Sequence, residues 1–181
     1  RKVAIITGDG ISQGSAGELW YFFERELEYP VTVISASDAA RVDLTAYDVL
    51  LLPSGNYSGL KDTIVDFAKR GGRVVAFENA ISVFSTVKST SLSADIETRN
   101  NELKASDKKS GSGDPVHLKK FGDENRHMLS ERSAASIYRV VADTTNPLMF
   151  GLGKEWFILK RSQPYPYLSK GQNAGYILEN S

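Results

Sequence analysis

The sequence predicts an α/β fold: a doubly wound, mostly parallel sheet with helices on both faces, formed by residues 1–181 as a single domain. Three observations predict it. Short apolar runs rich in β-branched residues recur at Val3–Thr7, Val31–Ile34, Val49–Leu52 and Arg73–Phe77, as in strands buried on both faces. Stretches with apolar residues at helical spacing lie between several of them. Glycine, proline and asparagine cluster where the runs end, the punctuation of tight strand-to-helix turns.

The elements follow in order. The first strand, Val3-Ala4-Ile5-Ile6-Thr7, is bounded by Gly8-Asp9-Gly10. Ser15 and Glu18 have the spacing of a capping box, which starts a helix with Ser15 as its N-cap. Ala16, Leu19, Trp20, Phe23 and Leu27 then share one helical stripe, and Pro30 closes it before the second strand. Asp38–Arg41 allows one short turn. Val49-Leu50-Leu51-Leu52 is the third strand, broken by Pro53-Ser54-Gly55-Asn56. Ile64, Phe67 and Ala68 mark a helix over Lys61–Arg70, with Gly71-Gly72 as its stop. After the fourth strand, Ala80–Val87 is weakly helical. From Lys88 to about Arg132 the chain turns polar and reads as a surface insertion, with Leu92–Lys104 a polar helix. Later strands are expected at Ala135–Val141, Trp156–Leu159 and Tyr176–Leu178.

Composition narrows the function classes. Lys plus Arg and Asp plus Glu both number 22, so the net charge is zero and no basic face for nucleic acid is indicated. Hydrophobic content of 41% and charged content of 24% are those of a globule. The chain contains no cysteine, which excludes disulfides, thiolate metal sites and a cysteine nucleophile. No apolar run approaches the roughly 20 residues of a membrane span. Arg1-Lys2 leads straight into a strand with no signal-peptide pattern, so an export signal would lie outside this segment.

In an open α/β sheet, ligands bind beyond the carboxyl ends of the strands. There the sequence offers Asp9, Gly10, Ser12, Gly55, Asn56, Glu78 and Asn79: carboxylates, a hydroxyl, amides and glycine N–H groups that suit a polar pocket or an anion nest. Tight turns alone also explain the glycines. Gly8-x-Gly10 fails as a dinucleotide fingerprint because position 13 is Gln13, and no phosphate-loop lysine follows a glycine-rich turn. His127 and Glu131 are four residues apart, but with His117 they fall in the polar insertion and do not make a three-ligand zinc site. A serine triad lacks a histidine near a strand end. Asp9 and Glu78 permit a glycosidase-like carboxylate pair and nothing further supports it. Asn56-Tyr57-Ser58 matches a glycosylation acceptor, a pattern frequent by chance. Tyr57, Tyr165 and Tyr167 are aromatics for a docking face toward another domain or a glycan.

Several blocks resemble one family. Gly8-Asp9-Gly10-Ile11-Ser12, Ala16-Gly17-Glu18-Leu19-Trp20, Tyr47–Tyr57 and Gly71-Gly72 resemble the class I glutamine amidotransferase-like domain, a flavodoxin-like fold. More narrowly, they are similar to the version appended C-terminally to secreted bacterial zinc carboxypeptidases of the M14 family. Ser136–Val140, Asn146–Gly151 and Asn173–Tyr176 continue the likeness. Active amidotransferases carry a cysteine nucleophile in the turn after the strand equivalent to Val74–Phe77. Glu78 stands there, with Asn79 next, and Asn146 stands where the late histidine is looked for. A carboxylate cannot form the thioester, so glutaminase chemistry is expected to be absent.

The resemblance thus implies a non-catalytic accessory domain of an extracellular or periplasmic metallopeptidase. Its partner would be an upstream peptidase domain of the same chain, which holds the zinc, and this segment would need no cofactor. The resemblance also implies that Ser181 stops short of a final strand. The rival expectation is a small-molecule-binding or hydrolytic pocket in which Asp9 and Glu78 act, with Glu78 sunk in a cleft.

Overall fold

The computed structural model describes residues 1–88, 90–110, 136–160 and 165–177. His117, His127, Glu131 and most of the polar insertion lie outside the described residues. The chain divides into two compact units, Arg1–Val87 and Lys88–Ser181, and the division falls where the sequence turns polar.

In the first unit, strands β1 (Val3–Thr7), β2 (Val31–Ser35), β3 (Val49–Leu52) and β4 (Arg73–Ala76) form one parallel sheet in the order β2-β1-β3-β4. Helix α1 (Gln13–Tyr21) links β1 to β2, and α2 (Lys61–Lys69) links β3 to β4. Side chains alternate across the pleat, and both faces of the sheet are apolar. Ala4, Ile6, Leu50 and Leu52 pack with Ile64 and Phe67 of α2 on one face. Val3, Ile5 and Leu51 pack with Leu19 of α1 and with Phe23 on the other. Ile5, Ile6, Leu50 and Leu52 are fully buried, each stabilising the fold by about 1.5–3 kcal/mol. Strand order reverses between β1 and β3, so the crevice of this sheet belongs beyond the carboxyl ends of those two strands.

Helix α1 departs from expectation at both ends. Its N-cap is Ser12, whose side chain accepts from the Ser15 N–H at 3.3 Å, so Ser15 lies inside the helix and is not the cap. The expected capping box supplied the right residue type one turn too late. Its last turn widens into a π-helical turn, Phe22–Glu26. That extra residue moves Leu27 (52% exposed) off the expected stripe; Trp20 (41%), which precedes it, also faces outward, while Leu19 and Phe23 pack inward.

The later strands do not extend the parallel sheet. In the second unit, β5 (Ser136–Ala142), β6 (Glu155–Lys160) and β7 (Gly175–Ile177) form an antiparallel sheet in the order β6-β5-β7. No helix longer than the one-turn Pro147–Met149 segment connects β5 to β6, and antiparallel pairing is what such a connection permits. Helix α3 (Leu92–Ser110) precedes the sheet and runs past the expected Lys104.

Candidate functional site

The loops after β1 and β3 carry most of the residues singled out in the sequence, and they are bonded to each other. Gly10 adopts a φ of 78°, open to glycine, and its carbonyl accepts from the Asn56 N–H at 3.0 Å. Ser12 N–H donates to the Ser54 carbonyl at 2.8 Å, and Ile11 forms an antiparallel bridge with Gly55. The two backbones approach so closely that a Cβ on Gly55 would lie 2.9 Å from the Ile11 Cα. Glycine is therefore required at position 55 by contact, not by dihedral angle. Buried Ile11 and Tyr57 flank this junction, and the Tyr57 hydroxyl donates to the Pro53 carbonyl at 2.8 Å.

The turn after β4 completes the arrangement. Asn79 Oδ1 accepts from the Gly55 N–H at 2.7 Å and from the Ser54 hydroxyl at 2.8 Å. The Ser54 N–H donates to Ser15 Oγ at 3.0 Å, which is the use α1 makes of Ser15. The turns after β1, β3 and β4 are thus tied through Ser15, Ser54, Gly55 and Asn79. The sequence reading found Gly55 and Asn79 but missed Ser54 and Ser15 as members, since a serine in a strand-end turn carries no signal of its distant partner.

The two carboxylates lie outside this network. The Asp9 and Glu78 side chains are exposed and, among the described residues, form no hydrogen bond or ion pair, so Glu78 does not occupy the expected cleft. Glu78 adopts a φ of 50°, the left-handed region, which costs a side-chain-bearing residue about 1–2 kcal/mol. It sits at the turn from β4 into a short 3-10 segment, Glu78–Phe84, with Asn79 as the residue turned toward the neighbouring loops. Asn56 Oδ1 accepts from the Ser58 N–H at 3.0 Å, a local turn, and Ser12 Oγ is committed to its helix.

The remaining candidates separate. Asn146 is buried, accepts from the Leu148 N–H at 3.0 Å and donates to Gln172 Oε1 at 3.3 Å, a structural role in the second unit. Tyr57 is 2% exposed and cannot belong to a docking face, because its ring fills the core beside β3 and burial pushes its phenol well above its ordinary pKa. Tyr165 and Tyr167 remain exposed. Among the described residues no three His, Cys, Asp or Glu gather as metal ligands, and no helix is long and apolar enough to cross a membrane.

The first unit is therefore an α/β domain whose strand-end turns are joined to one another. Compared with protein families, with curated proteins and with solved structures, the chain gives no match.

Proposed function

We propose that this chain is a non-catalytic accessory segment, flavodoxin-like and class I amidotransferase-like in its first unit. It is of the kind appended to secreted bacterial zinc carboxypeptidases, in which an upstream domain holds the zinc and hydrolyses peptides. One observation carries the non-catalytic part. The loops that border the crevice between β1 and β3, where an open α/β sheet takes its ligand, commit their polar groups to each other through the Ile11–Gly55 bridge and the Asn79 amide. The Ser12–Ser54 and Asn56–Gly10 backbone bonds hold the same two loops together. The family assignment is supported by the sequence blocks quoted above and by the strand order β2-β1-β3-β4, which flavodoxin-like sheets share.

A hydrolytic pocket that uses Asp9 and Glu78 is the second reading. The left-handed backbone at Glu78 favours it, because strain of this kind concentrates at functional turns. The test is an assay of the purified chain with glutamine and with blocked C-terminal dipeptides, alongside its zinc content. No turnover and no stoichiometric zinc are expected. Turnover that Glu78→Gln abolishes would overturn the proposal in favour of the second reading. The coding sequence upstream of Arg1 tests the pairing: a zinc peptidase domain is expected, and an unrelated upstream sequence removes the carboxypeptidase context.

A further inference from the structure

We propose that the second unit carries a binding site for an uncharged, ring-bearing small molecule, in the cleft between the β5–β7 sheet and the Tyr165–Tyr167 segment. The inference is independent of the accessory role proposed above.

The cleft has a volume of about 600 Å³, inside the range of small-ligand sites. Val140, Trp156, Ile158 and Ile177 line it from the sheet, where the register sets Val140 opposite both Trp156 and Ile177. Tyr165 and Tyr167 form the facing wall. Among the described residues no Asp, Glu, Lys, Arg or His contributes to the lining, so an ionised ligand would lose hydration to these walls without gaining a counter-charge from them. Uncharged chemistry is what this lining complements.

Its polar atoms select further. The Trp156 indole N–H already donates to the Gly153 carbonyl at 2.9 Å, which fixes the ring. The Asn173 amide accepts from the Leu168 N–H at 2.9 Å and donates to the Leu168 carbonyl at 3.0 Å, which pins the turn after Tyr167. Among the described residues the phenols of Tyr165, Tyr167 and Tyr176 have no such commitment. Tyr167 and Tyr176 lie with ring centroids 6.0 Å apart and planes at 57°, presenting two aromatic surfaces to one occupant. Burial raises the Tyr165 pKa above its ordinary value. A flat apolar ring with one hydrogen-bonding edge satisfies these groups together.

Calorimetric titration of the whole chain with 2-naphthol, and separately with 2-naphthalenesulfonate, tests the site. Saturable binding of the naphthol is expected, with the sulfonate at least about tenfold weaker. Tyr167→Ala removes one wall from an exposed position and should weaken naphthol binding about fivefold without loss of the fold. Ala142→Leu, which fills the buried end of the cleft, should weaken it as well. Absence of saturable heat, equal binding of the sulfonate, or full affinity in folded Tyr167→Ala each overturns the proposal.

Discussion

Asn79 Oδ1 lies 2.7 Å from the backbone nitrogen of Gly55, so a side chain at the end of β4 satisfies a buried main-chain donor at the end of β3. That single acceptor also takes the Ser54 hydroxyl. Asn79→Ala leaves Gly55 N–H without a partner and is expected to cost about 1–3 kcal/mol, read as a lower urea midpoint. Asn79→Asp keeps the accepting oxygen and should lose less. Equal losses in the two variants would show that the oxygen is not what matters.

Gly55→Ala should destabilise by about 1–3 kcal/mol, since the added Cβ meets the Ile11 Cα at 2.9 Å and the Gly10 carbonyl oxygen at 3.0 Å. Gly17→Ala is the control. Gly17 is inside α1 with nothing within 4 Å of its built Cβ, so alanine there should stabilise by about 0.5–1 kcal/mol. Thermal unfolding of both variants measures the opposition in sign.

Glu78→Gly should raise stability by about 1 kcal/mol, because glycine takes a φ of 50° without the clash that glutamate carries. Under the non-catalytic reading the change has no functional cost. A stabilised variant that loses a measurable activity would instead identify strain kept for use.

Of the three described aspartates held below their ordinary pKa, Asp43, Asp95 and Asp143, two are built alike. Asp43 and Asp143 each accept the hydroxyl and backbone N–H of the threonine two residues on, Thr45 and Thr145, at 2.6 Å and 3.0 Å. The threonine hydroxyl, then its N–H, holds each carboxyl below its ordinary value of 3.8. A depressed native pKa favours the folded state above the ordinary value, and that contribution fades as pH falls through the native one. Chemical denaturation between about pH 5 and pH 2 should therefore show a shallower acid loss in the double variant Asp43→Asn, Asp143→Asn. An unchanged slope would contradict the assignment.

Much of the first unit was legible because its determinants are local. Val3–Thr7 and Val49–Leu52 are uninterrupted apolar runs, and the structure places both strands on those residues. The start of α1 was misplaced because Ser12 and Ser15 are equally good caps in isolation, and only the bond from Ser54 decides which one is free to cap. The strand ends were identified as the place where Gly10, Gly55, Asn56 and Asn79 meet, yet periodicity does not reveal that those turns bond to each other. Tyr57 looked like Tyr165 and Tyr167 in sequence, and its burial depends on packing against β3 and α2. The antiparallel sheet was hidden for a similar reason: apolar runs mark strands without stating their direction.

The pairing of Ile11 with Gly55 gives residues that the amino-acid order marks as two loops the behaviour of an added rung. In deuterated solvent the amide protons of Ser12 and Asn56 should exchange at the slow pace of the sheet interior, released only when β1 and β3 come apart together.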